Sequence, residues 1–122
     1  MAKWVSPAVL DAALTVLASG TRLVALASQP TTYAQALSQR LVEATVGPDD
    51  FSIAPGDQSG RKVAIAAKSG LQAIAAGVAN HIALLNTNTE QLLYVTTCPA
   101  QAVAAGGNVS ISGWTVEIAD PA

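Results

Sequence analysis

Arg61-Lys62-Val63-Ala64-Ile65-Ala66-Ala67-Lys68-Ser69-Gly70 is the stretch on which the fold class turns. Lys62 and Lys68 bracket Val63 and Ile65, which alternate along the chain and define a strand with one wet and one buried face. Ser69-Gly70 then turns the chain. Gln72 to Leu85 follows, long for one strand, with Gly77 marking a bulge or bend within it. Asn86-Thr87-Asn88-Thr89-Glu90 makes the next turn, Leu92 to Cys98 returns, and Pro99 is expected to stop it. Ala100 to Gly107 closes in a Gly-Gly turn, after which Val109 and Ile111 point one way. Beyond Gly113, Trp114, Val116 and Ile118 face in while Thr115 and Glu117 face out. The pattern from Arg61 onward is that of a β-meander.

Upstream of this stretch the chain reads differently. Ser6 is placed to cap a helix and Pro7 suits its first turn, where no N–H partner is needed. Leu10, Ala13, Leu14 and Leu17 fall at helical spacing on one stripe, and Gly20 stands at the C-terminal cap. A helix over about residues 7–19 therefore follows a short arm, residues 1–5, that carries Trp4; a tryptophan there is expected to fold back onto the core more often than to anchor an interface. Thr21 to Ser28 reads as a strand apolar on both faces, hence covered on both. Gln29-Pro30-Thr31-Thr32 breaks it, Tyr33 to Ser38 makes a single helical turn, and Leu41 to Val46 is a second strand. Gly47 to Gly60, dense in Gly, Pro, Asp and Ser, is a long loop or an edge strand around Phe51-Ser52-Ile53-Ala54. The β-rich body thus spans about residues 21–120 in one domain of residues 1–122. The fold class is mainly β, an antiparallel β-sandwich or barrel-like meander with one N-terminal α-helix.

Composition narrows the function. Apolar residues make up 51% of the 122 and charged residues only 11%, well under the roughly 25% of an ordinary soluble domain. Ala, Ser, Thr, Gln and Asn take the place of charge, which lowers the cost of desolvating a surface at a contact with another chain. The net charge is −2 and the six basic residues are scattered, so no basic stripe is present to neutralise phosphates and direct nucleic-acid binding is not expected. The apolar run Val9 to Ala18 is too short to span a membrane and contains Asp11, which would also interrupt the apolar core of a signal peptide. A retained helix in a protein made in the cytoplasm is the reading.

Catalytic motifs are missing. No nucleophile elbow, phosphate-binding loop or dinucleotide fingerprint occurs. The single Cys98 excludes an intramolecular disulfide, and the single His81 removes most metal sites and acid–base dyads. A Cys98–His81 pair would need an electropositive, accessible thiol, and Cys98 has no basic neighbour in sequence. Asp49, Asp50 and Asp57 cluster in a turn-rich loop that could hold a hard cation, but a solvated loop whose aspartates initiate turns is the preferred account. No catalytic, cofactor or metal residues are therefore assigned. Arg61, on the opposite strand face to Lys62, is expected to pair with the acidic loop before it or with a neighbouring subunit.

Several phrases give the chain a wider resemblance. Thr31-Thr32-Tyr33-Ala34, Ser59-Gly60-Arg61-Lys62-Val63, Asn80-His81-Ile82-Ala83-Leu84 after Gly77, Pro99-Ala100-Gln101-Ala102-Val103 with Gly106-Gly107-Asn108, and the closing Ile118-Ala119-Asp120-Pro121 resemble a family of small virion proteins of tailed bacteriophages. The likeness runs nearly the whole length; the Ala-rich stretch Ala73 to Ala79 departs from it, since Thr and Ser are common there. The resemblance implies a virion component, and first a capsid cement or decoration protein on the outer face of the major capsid lattice. It implies no enzyme activity and no cofactor. Its partners would be the major capsid protein and further copies of itself, with a trimer favoured, and no membrane. Candidate interface residues are Trp4, Phe51, Asp57, Arg61 and Lys62, because arms and loops project from a β core. A tail or head-fibre adaptor, or a carbohydrate-binding β module, is the alternative; a sugar site would want exposed aromatics, and aromatics total 4%.

Overall fold

A computed structural model describes residues 3–120. Met1 and Ala2 of the arm, and Pro121 of the closing phrase, lie outside the described residues. Helix α1 spans Pro7–Ala18. Ser6 is its N-cap, its hydroxyl accepting from the Ala8 N–H at 3.3 Å, and Pro7 occupies the first turn. The Gly20 N–H closes the other end on the Leu17 carbonyl at 3.0 Å. Leu10 and Leu14 are buried and Leu17 packs on the core. Ala13, placed on that stripe by its spacing, is instead exposed. Its position is shared with the outer stripe of Val9, Ala12 and Val16, which is exposed as well.

The fold is mainly β and antiparallel throughout, consistent with a β-sandwich-like arrangement. Its central layer is a four-stranded sheet built from β1 (Arg22–Leu26), β2 (Val42–Thr45), β6 (Gly77–Asn86) and β7 (Gln91–Val103), in the order β2-β1-β6-β7. Strand β1 is buried on both faces, as its uninterrupted apolar run requires. One face carries Val24, Leu26, Ala83 and Leu85, covered by the short helix α2 (Tyr33–Ser38) through Ala36, Tyr33 and Leu37. The other carries Leu23, Ala25, Val42, Ile82 and Leu84 into the main core. That core is closed by α1 and by two smaller sheets: β3 (Phe51–Pro55), β4 (Arg61–Ile65) and β9 (Trp114–Ile118) in the order β3-β4-β9, and β5 (Lys68–Gln72) paired with β8 (Asn108–Ile111).

From Arg61 onward the chain is therefore not a run of sequential hairpins. Strand β4 pairs with β3 and β9, β5 pairs with β8, and β6 returns to β1; only β6 and β7 are joined as neighbours. The alternation at each strand is as read, but each apolar face needs a partner layer, and that is met by strands far apart in sequence. Gln72 to Leu85 is divided: β5 ends at Gln72, and Gly77 opens β6. Gly47–Gly60 holds a short 3-10 turn (Pro48–Asp50) and then β3, which lies at the edge of its sheet.

Pro99 does not end its strand. Ala79 faces Gln101 and His81 faces Thr97, so Cys98, Pro99 and Ala100 stand opposite Asn80 alone. The bulge removes Pro99 from the hydrogen-bonding ladder, and β7, as an edge strand, tolerates a residue without an N–H there.

The β6–β7 turn is tied to the helix by a buried polar residue. Asn86 donates through Nδ2 to the Ser19 carbonyl at 3.1 Å, and its Oδ1 accepts from the N–H groups of Asn88 and Thr89. Every polar group of Asn86's side chain is thus occupied, as a 7%-exposed amide requires.

Candidate interaction surface

Helix α1 is apolar on both sides. Its inner face is buried, and its outer face presents Val9, Ala12, Ala13 and Val16 at helical spacing, with Val9 59% and Val16 55% exposed. Asp11 is the only charge in the helix, and Arg61 Nε lies 2.7 Å from its Oδ1. The outer stripe is consequently an uncharged apolar surface beside solvent, a state that helices facing water normally avoid. Directly ahead of it on the arm stands Trp4, 80% exposed. It does not fold back onto the core.

The other sequence-nominated residues divide. Phe51 is half-buried against the core and serves β3 packing. Asp57 and Lys62 come together at the β3–β4 turn, Nζ to Oδ1 at 2.6 Å, with the Asp57 side chain 74% exposed. Within the chain Arg61 pairs with Asp11 and not with the acidic loop before it, so it clamps α1 to β4 from the opposite strand face. Arg22 and Arg40 both approach Glu43, and Lys68 pairs with Asp50. Five of the six basic residues thus have an acidic partner within the chain, which leaves little positive potential to steer a polyanion.

Two of the loop's three aspartates are engaged by their own chain. Asp50 accepts from the Gly47 N–H and from Lys68 Nζ, each at 2.8 Å, while Asp57 takes Lys62. Among the described residues no three His, Cys, Asp or Glu side chains are grouped as metal ligands would be. The Lys68 hydrogen bond, then that of Gly47, holds the Asp50 carboxyl below the usual carboxylate range, against the opposing effect of partial burial. A carboxyl depressed by folding contributes stability above its unfolded pKa of about 3.9 and loses it as pH falls through the folded value. The urea-unfolding difference between wild type and Asp50→Asn is expected to hold steady from about pH 7 to about pH 5 and to shrink below about pH 4. A difference that widens on acidification contradicts the assignment.

His81 and Cys98 do not form a pair. His81 shares its sheet face with Ala83 and Leu85, whereas Cys98 packs against the main core on the other face. Imidazole Nδ1 meets Asn80 Oδ1 at 2.6 Å, and burial raises the Cys98 pKa, which keeps the thiol protonated at neutral pH.

Sequence reading missed a cleft of about 380 Å³ between β7 and the corner joining β8 to β9. Ala79 and Ile82 form its floor, Thr97 and Cys98 one wall, Ser112 and Trp114 the other, and no charged side chain lines it. Trp114 stacks on Tyr94 with ring centroids 5.7 Å apart, and its buried Nε1 has no hydrogen-bond partner among the described residues. No periodicity announces this cleft, because its walls are distant in sequence. In α1, Val9, Ala12, Ala13 and Val16 repeat at the same spacing as the inner stripe, so the sequence marks a second apolar face without deciding which of the two is bare.

The features so far define a mainly β protein whose N-terminal helix carries an exposed, uncharged apolar face. Comparison of the chain with protein-family models, curated proteins and solved structures finds no match.

Proposed function

We propose that the chain is a structural subunit of a tailed-phage virion, a capsid cement protein that binds the outer surface of the major capsid lattice by protein–protein contacts. The outer face of α1 carries the reading: Val9 and Val16 stand more than half exposed on a helix whose only charge is already neutralised by Arg61. A face of this kind gains by burial against another polypeptide at about 25 cal/mol per Å² of apolar surface, less the cost of association. The low overall charge, and the resemblance of several phrases to those of small virion proteins, support the same reading. Stabilisation is then physical. Contacts bridging adjacent capsomers, repeated over a shell, gain avidity from modest affinity per copy.

The test is binding to purified capsid shells that lack the protein. Saturable co-sedimentation is expected for wild type, and its loss for the double variant Val9→Lys/Val16→Lys. Both positions are exposed, so stability should move by no more than about 0.5 kcal/mol per site. Wild type that ignores shells but binds tails makes the chain an adaptor. Clear hits on a glycan array make it a carbohydrate-binding module. Turnover of a substrate by the purified chain would remove the structural reading altogether.

A further inference from the structure

The cleft beside β7 and the exposed tryptophan ahead of α1 are complementary, and we propose that the arm of one copy docks head to tail in the cleft of a second copy. The proposal deepens the reading of the chain as an assembly subunit and rests on it. The cleft has an apolar floor, hydroxyl-bearing walls and no charge, so it suits the uncharged indole of Trp4 while the exposed Lys3 beside it stays in solvent. Trp4 is the most exposed large apolar side chain among the described residues, at 80%. The backbone around it lies outside any helix or strand, and Ser6 is extended at φ −63°, ψ 136°.

The edges agree with this. Strand β7 ends its sheet, and β8 has β5 as its one partner. Residues of both strands line the cleft and each strand has an unpaired backbone edge, to which an extended arm can add hydrogen bonds while its aromatic side chain fills the space between. Nothing charged on either edge opposes the approach: Gln91 to Val103 contains no charged residue, and neither does Asn108 to Ile111. Because arm and cleft are different surfaces, the contact is heterologous and closes into a ring when the rotation between copies permits. A sugar is disfavoured as occupant by the aliphatic floor of Ala79 and Ile82.

Cys98, on the cleft wall, is a built-in reporter. Light scattering on the full chain, without any capsid, is expected to give an oligomer for wild type and a monomer for Trp4→Ala at unchanged circular dichroism. N-ethylmaleimide should alkylate Cys98 roughly tenfold faster in Trp4→Ala, since a site held at about ten times its dissociation constant is open about a tenth of the time. Ser112→Trp, which fills the cleft and keeps the arm, should also fail to self-assemble. Mixing it with Trp4→Ala should yield a one-to-one heterodimer, because the mixture retains one good arm and one good cleft. The proposal is overturned if wild type is monomeric, if Trp4→Ala keeps the wild-type oligomer, or if Cys98 reacts equally in both. Protection of Cys98 in Trp4→Ala by a soluble oligosaccharide would also overturn it, making the cleft a sugar site. Wild type that binds shells but is monomeric alone removes only the exchanged arm; wild type that self-assembles but ignores shells removes only the capsid reading.

Discussion

Gly60→Ala is expected to lower stability by at least about 3 kcal/mol, where Gly70→Ala costs only about 1–2 kcal/mol. Both glycines sit in the left-handed region, at φ +72° and +68°. That conformation alone penalises a side chain about equally at the two sites. Around Gly70 an added Cβ meets nothing within 4 Å. At Gly60 it would strike the carbonyl oxygen of Ile118, a backbone atom of the adjoining strand that cannot rotate away. The same residue accepts a hydrogen bond from the Gly56 N–H at 2.9 Å and leads into Arg61, which holds α1. Separating β4 from β9 to make room would disturb all three. Urea midpoints of the two variants measure the difference directly; equal losses would mean that the close approach to Ile118 is absent in solution.

Leu84→Ala is expected to cost about 3–5 kcal/mol, the upper part of the range for buried leucines, and to lower Tm by on the order of 10 °C. Leu84 is fully buried, opposite Leu23 on one side and Tyr94 on the other. It also fills the space above Gly20, where any Cβ would collide with it. Removing its isobutyl group leaves a void bordered by a glycine backbone and by two strands locked in register, none of which can move in to close it. Since α1 is anchored at Gly20, the loss should also loosen the helix that carries the proposed docking face. Val24→Ala, on the α2 side of the same sheet, provides a comparison with a smaller deletion of about 1–3 kcal/mol. Thermal unfolding followed by circular dichroism ranks the two, and a Leu84→Ala chain as stable as Val24→Ala would place the void elsewhere.

Much of the local structure was legible because it rests on short-range chemistry. Ser6-Pro7 starts α1 through capping by near neighbours, and the helix ends where expected, although Ser19 is its cap and Gly20 follows without a left-handed turn. Thr32 caps α2 by accepting from the Gln35 N–H at 3.1 Å, which accounts for Thr31-Thr32-Tyr33-Ala34 as a helix start. Strand faces at Val63/Ile65 and Val109/Ile111 followed from alternation alone. Pro99 misled for a definable reason. A proline ends a strand only if its missing N–H is needed, and a bulge on an edge strand makes it dispensable.

The candidate surface divides along the same line. Exposure of Trp4 and of the α1 outer stripe could not be settled by spacing, since an apolar residue on a helix is driven inward only if a layer exists to receive it. Arg61 found Asp11, fifty positions away, in preference to the acidic loop beside it. By itself the sequence determined the element types, their caps, the faces of individual strands and the poverty of charge, all of which depend on contacts within a few residues. Only the tertiary structure decided which strands pair, which helix face remains bare and where the cleft opens. Those outcomes depend on how apolar faces distribute among partner layers, a competition between distant segments that no local pattern records.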